Sequence, residues 1–297
     1  MFRRPVFEIP LPTGQTLHLG ARTLVMGVLN VTPDSFADGG RYLDPARAVD
    51  AALAMEAAGA DLVDVGGEST RPGAEPLAAD EELGRVAPVV RGLAGRLRIP
   101  ISVDTYKASV AEPLLDLGAS IINDISALEY DSGLPAVVAS SGAAVILMHT
   151  RGRSREMYRE AHYDDIVREV SDELGARLRR AAEAGVPTAR VLLDPGIGFA
   201  KRAEHSAALI ARLDELHALG RPLLVGPSRK SFLQRAIGDR APDGRDWATA
   251  AAVTAAVLAG AHVVRVHAVA EMIDVVRTAD LLRSGATQEP GRETATK

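Results

Sequence analysis

One unit recurs along this chain: an alanine-rich helical pattern, a glycine, a few connecting residues, a short apolar run and a polar tip. The glycines are Gly59, Gly95, Gly118, Gly142, Gly185, Gly220 and Gly260. Each stands where a helix C-terminus takes a left-handed residue. The apolar runs that follow cover 62–65, 99–103, 120–122, 144–148, 190–193, 223–225 and 262–266, and 24–29 precedes them. Such runs suit strands buried on both faces, and strands alternating with helices imply parallel βαβ units. Eight units in about 250 residues, with nothing left over for a second domain, predict an α/β fold of the (β/α)8 TIM-barrel type. A doubly wound open sheet is the alternative.

Ahead of the barrel, residues 5–18 alternate loosely and turn at Pro12-Thr13-Gly14, which predicts an N-terminal β-hairpin. The expected organisation is a hairpin in 1–20 that belongs to the barrel domain, a barrel over 21–283, and a polar, disordered tail over 284–297. The last helix is expected from Ala270 to about Leu282. A net charge of −5 argues against a nucleic-acid or polybasic membrane surface. No apolar run is long enough to span a bilayer, and no apolar stretch follows Met1-Phe2-Arg3-Arg4-Pro5 as in a signal peptide. The chain has no cysteine, which excludes disulfides, thiolate catalysis and cysteine-bound metal and fits a cytoplasmic setting. Lysine occurs only at 107, 201, 230 and 297, while arginine carries the remaining positive charge. The internal lysines therefore read as placed for specific contacts.

A barrel builds its site at the C-terminal ends of its strands. The first strand ends at Asn30 and delivers Thr32, Asp34 and Ser35 into a loop with Pro33, Gly39 and Gly40; Asp44-Pro45 then reads as an N-cap and first helical position. The other tips carry Gly66–Pro72, Asp104–Lys107, Asn123-Asp124, His149, Asp194-Pro195-Gly196, Gly226–Lys230 and Arg265–His267. All eight are polar above apolar strands, which points to a polar small-molecule site. Arg265 and His267, two apart, face the same way. Ser228 reads as opening the helix after the seventh strand, and the last two loops of a barrel commonly bind phosphate. An anionic group is expected there; a barrel-top ion pair of Arg265 and His267 with a neighbouring carboxylate is the alternative. Asp104, Asn123, Asp194 and Lys230 supply the donors and acceptors that read an aminopyrimidinone edge. A salt-bridge network, Asp194 with Lys230 for example, is the alternative. His149 reads either as a ligand or as a hydrogen-bonded rim residue.

Residues 28–40, 66–73, 102–107, 122–125, 194–201, 226–231 and 265–267 closely resemble, in order, the motifs of the bacterial dihydropteroate synthases. The Asn-Val-Thr-Pro-Asp-Ser-Phe, Gly-Glu-Ser-Thr-Arg-Pro-Gly and Ser-Arg-Lys-Ser runs are each specific. The resemblance spans residues 24–283 and implies a (β/α)8 barrel that joins 6-hydroxymethyl-7,8-dihydropterin diphosphate to p-aminobenzoate in folate biosynthesis. It implies an S_N1-like substitution that releases pyrophosphate and leaves 7,8-dihydropteroate. It also implies Mg²⁺ at Asn30, pyrophosphate at Arg265 and His267, and the pterin diphosphate at Thr70, Asp104, Asn123, Asp194 and Lys230. Phe36, Arg71, Pro72, Phe199 and Ser228 would wall the p-aminobenzoate subsite. Asp34, Arg71, Lys230, Arg265 and His267 form the expected catalytic set, with Asp34 and Arg71 pairing across closed loops, and a homodimer is expected. Ala268 departs from the family's frequent Asp after the histidine, which leaves the orientation of His267 to another residue. Two rival functions are a pterin-binding methyltransferase and a non-catalytic pterin-binding paralogue.

Overall fold

A computed structural model describes residues 4–32, 44–69, 73–153, 159 and 161–285. Strands β1 (Phe7–Pro10) and β2 (Thr16–Leu19) form the antiparallel hairpin, with Ile9 opposite Leu17. Eight parallel strands follow: β3 (Leu24–Asn30), β4 (Leu62–Gly66), β5 (Ile101–Asp104), β6 (Ile121–Asp124), β7 (Ala144–Met148), β8 (Val191–Asp194), β9 (Leu224–Val225) and β10 (Val263–Val266). Their order is β8-β7-β6-β5-β4-β3-β10-β9, and a parallel bridge from Leu193 to Leu223 joins the two ends. The ring therefore closes, and the open-sheet alternative is excluded. All seven glycines expected after helices have positive φ. Asp44 caps the first barrel helix, Pro45–Ala57, by accepting from Ala46 N at 2.9 Å. The last helix runs over Val269–Gly285, past the Leu282 expected for its end; the rest of the tail lies outside the described residues.

Strand alternation sorts the barrel interior into layers. At the N-terminal end the inward side chains Leu24, Met26, Leu62, Ile121, Ile146, Leu192, Leu224 and Val263 join Ile9, Leu11, Leu17 and Leu19 of the hairpin in one apolar cluster. The hairpin thus plugs the bottom of the barrel, where each such side chain contributes about 1.5–3 kcal/mol by leaving water. Two residues further along β4, β6, β8 and β10 the inward side chains become Asp64, Asn123, Asp194 and Arg265, and β5 adds Asp104 beside them. A sealed apolar floor below forces these polar groups to find partners at the open top. Arg4 ties the start of the chain down, bonding Gly20 O at 3.0 Å and Ala261 O at 2.6 Å.

The seam between β9 and β10 is held by His262. Its Nδ1 accepts from Leu223 N at 3.0 Å, and its Nε2 lies 3.0 Å from Pro5 O. These partners demand the neutral imidazole with hydrogen on Nε2. Burial pushes the His262 pKa down from 6.5 to about 3, and burial with the Lys201 charge does the same to His149. A histidine held neutral in the fold binds fewer protons than the unfolded chain does, so stability is fully present above pH 6.5 and falls as the pH drops toward 3. Each histidine is expected to cost about 2 kcal/mol between pH 7 and 5. Urea midpoints measured across that range check this; a flat profile would contradict it.

Candidate functional site

The mouth of the barrel is organised by Arg265. Its Nε donates to Asp64 Oδ2 at 2.7 Å and its Nη2 to Asp104 Oδ2 at 3.0 Å. Among the described residues the ion-pair alternative is therefore realised for Arg265 but not for His267, whose ring meets Ser228, and Arg265 Nη1 has no partner. Two carboxylates share one guanidinium. Burial pushes the Asp104 carboxyl up to about 7; Arg265 pulls it down and the neighbouring Asp64 charge pushes it up. Asp64 lies within a strand otherwise read as apolar, and the expected site did not include it. Its signal was a carboxylate at an inward position of a buried strand, in register with Ser102. Asp64 Oδ2 also accepts from Asn123 Nδ2 at 2.9 Å. Because that carboxylate only accepts, the Asn123 amide must present its nitrogen to it, leaving the carbonyl oxygen as an acceptor for another group.

Asp194 faces inward from the tip of β8. Its Oδ1 accepts from Gly196 N at 2.7 Å, and burial raises its pKa against the pull of Lys230. Lys230 donates to Ile197 O and stands 4.1 Å from the centre of the Phe199 ring. Burial lowers its pKa to about 8, although Asp194 pulls upward. Lys230 thus anchors on a backbone carbonyl rather than in a side-chain pair with Asp194. It carries a cation beside an aromatic wall.

Ser228 and His267 meet at the tips of β9 and β10. Ser228 Oγ lies 2.9 Å from His267 Nδ1 and accepts from His267 N at 3.2 Å. The hydroxyl supplies the orienting contact that Ala268 cannot. Ser228 does not open a helix, as its sequence position suggested. The chain turns through Arg229 in a left-handed conformation (φ 60°), and a 3₁₀ turn, Ser231–Leu233, leads into a one-turn helix, Gln234–Ile237. Asp246 holds the Arg229 guanidinium at 2.7 and 2.8 Å, so the turn that aims Ser228 and Lys230 is clamped from the helix Asp246–Leu258.

Asn30 ends β3 half-buried, in register with Gly66. Lys107 binds Glu68 and Glu82, bracing the base of the loop after β4. His149 is fully buried, a hydrogen-bonded rim residue between Lys201 and Glu173. Asp34, Phe36, Thr70, Arg71 and Pro72 lie outside the described residues, as does the expected pairing of Asp34 with Arg71. The structure therefore brings together Asp104, Asn123, Asp194, Lys230, Arg265, His267, Ser228 and Phe199, and adds Asp64. The mouth can bind an anion beside a flat heterocycle whose edge offers donors to carboxylate and amide oxygens.

Residues 26–267 match the family described as pterin binding enzyme. A dihydropteroate synthase of Synechocystis sp. is 45% identical over 277 residues, covering 93% of this chain and 96% of that protein. The solved dihydropteroate synthase of Yersinia pestis with a sulfonamide drug is 40% identical, with a TM-score of 0.87, covering 94% of this chain and 100% of that one. The Xanthomonas albilineans dihydropteroate synthase in complex with 7,8-dihydropteroate is 36% identical, with a TM-score of 0.83, covering 95% and 100%. The chain belongs to the pterin-binding enzymes and, among them, to the dihydropteroate synthases.

Proposed function

We propose that the barrel mouth joins 6-hydroxymethyl-7,8-dihydropterin diphosphate to p-aminobenzoate, releasing pyrophosphate before the arylamine attacks. The observation that carries this is Arg265, a cation standing between two carboxylates at the rim of a donor-reading pocket, with Nη1 remaining for an outside acceptor. In this reading Arg265 and His267 take the departing pyrophosphate and stabilise its developing charge. Asp194 and the Asn123 carbonyl accept from the amino and ring N–H groups of the pterin, and Asp104 and Lys230 bond its other edge. Lys230, Phe199 and Ser228 wall the p-aminobenzoate subsite. Thr70, Arg71, Pro72, Phe36 and Asp34 complete the two subsites in this proposal.

Mg²⁺ fits this site as a companion of the diphosphate. Among the described residues no three His, Cys, Asp or Glu side chains cluster as a metal cage. Mg²⁺ commonly takes one or two protein oxygens together with substrate phosphates, and Asn30 at the rim offers such an oxygen. Bound there, the ion would neutralise charge on the leaving group. A homodimer in the cytoplasm is part of the proposal. Trp247 is 89% exposed on the outer helix Asp246–Leu258, with Leu281 and Leu282 exposed on the adjacent C-terminal helix, apolar groups that a second copy would cover. None of the described helices is long and apolar enough to cross a membrane.

The test is pyrophosphate release from the dihydropterin diphosphate with Mg²⁺, with and without p-aminobenzoate. Release that requires p-aminobenzoate, is blocked by a sulfonamide and stops on chelation is the expected result. Tight binding of the pterin diphosphate without turnover would favour the non-catalytic paralogue. Methyl transfer from a methyl-tetrahydrofolate would favour the methyltransferase. Absence of any binding would overturn the reading of the strand tips.

A further inference from the structure

Lys201 is 2% exposed and lies outside the ring of site residues, beneath the loop that follows β8. Its Nζ meets three acceptor positions: Phe199 O at 2.9 Å, His149 O at 3.2 Å and His149 Nδ1 at 2.8 Å. On the far side of the ring, His149 Nε2 lies 2.9 Å from Glu173 Oε2. Glu173 is an ionised acceptor, its pKa held near 2 because hydrogen bonds from His149 and Arg151 outweigh burial. Nε2 must therefore carry the imidazole hydrogen, and Nδ1 accepts from Lys201. Burial pulls the Lys201 amine well below the ordinary lysine value while the Asp194 charge pulls it back up, yet the three acceptors take three ammonium hydrogens, so it is the charged form that satisfies the cage. The chain has folded an internal cation into a cage of two backbone carbonyls and an imidazole nitrogen.

The caged loop is the one that holds Lys230. Between Asp194 and Lys201 three residues have positive φ: Gly196 (69°), Gly198 (79°) and Ala200 (48°). Such a loop crowds its carbonyl groups together and needs a donor at its centre. Lys201 binds the Phe199 carbonyl, the Phe199 ring flanks the Lys230 ammonium, and the Ile197 carbonyl two residues earlier accepts from Lys230. We propose that Lys201 is a positioning residue: its caged ammonium, oriented by His149 and Glu173, sets the loop that places Lys230 in the mouth. The link to turnover rests on the function proposed above; the link to Lys230 does not.

With only four lysines, selective ¹³C labelling at Cε gives few enough signals to follow Lys230 without substrate. In the intact chain Lys230 should titrate near 8. Lys201→Met removes the cage's cation, lets the loop relax and admits water, so the Lys230 midpoint should rise by about one unit toward that of an ordinary lysine. The kcat/KM for both substrates should fall at least about tenfold and its alkaline limb should move with the midpoint. Glu173→Gln, at a half-exposed position, should shift the midpoint the same way by less, and it serves if Lys201→Met does not fold. An unchanged Lys230 midpoint in a folded variant overturns the proposal. A shifted midpoint in a protein without synthase turnover would leave the brace standing and overturn the functional reading instead.

Discussion

Replacing Arg265 by methionine is expected to lower kcat/KM for the pterin diphosphate by at least about 10³ and to destabilise the fold by about 3–5 kcal/mol. The two effects share one cause. Arg265 is the partner of a fully buried carboxylate, Asp64, and of Asp104 beside it. Without the guanidinium, Asp64 retains only the Asn123 amide as a hydrogen-bond donor. Burial already pushes the Asp104 carboxyl to about 7, and loss of the arginine, which pulls it down, pushes it further up. A carboxyl with a raised pKa binds a proton in the fold that the unfolded chain releases. The variant should therefore regain stability relative to the parent as the pH falls from 7 toward 5, opposite to the trend that the buried histidines impose. Urea denaturation at both pH values, beside pyrophosphate release, measures this. Native-like stability at pH 7 would show that the arginine is not the keystone of the network.

Gly196→Ala is expected to be nearly as damaging, without touching any charge. A Cβ there would sit 2.0 Å from His149 O, a backbone atom that cannot swing aside, and φ is +69°. The segment has no slack. Gly196 N is held by Asp194 and His149 N by Asp194 O at 2.8 Å, so the loop and the end of β7 are tied to the same residue. Relieving the clash must move Asp194, the Phe199 wall or the Lys201 cage. A loss of at least about 3 kcal/mol is expected, with a fall in kcat of at least about 10². Gly14→Ala is the control. Its φ is +82°, but nothing lies within 4 Å of the added carbon, so only backbone strain of about 1–2 kcal/mol should register. Thermal melts and steady-state rates of the two variants separate steric clash from left-handed strain. Equal losses in both would refute the close approach as the cause.

What could be read along the chain was whatever repeats locally. Strand alternation is a property of successive residues, so Asp104, Asn123, Asp194 and Arg265 could be placed in the mouth, and the glycines at helix ends, before any contact was known. The hairpin and the capped start of the helix Pro45–Ala57 were legible for the same reason: turn and cap chemistry act over a few residues. The scarcity of lysine even marked Lys201 as placed for a purpose, though not for which one. Closure of the ring decided the rest. Arg265 meets Asp64 across 201 residues of sequence, Lys201 meets His149 across 52, and Ser228 meets His267 across 39. Asp64 escaped notice because one carboxylate within an apolar strand has no periodic signature. Its meaning depends on which cation the closed barrel turns toward it. By itself the sequence determined which groups point inward, since that follows from the two-residue period of a strand. Which inward groups pair, and so which charges are neutralised and which stand ready for substrate, was decided by the tertiary structure, because pairing depends on distances set only when the eight strands close.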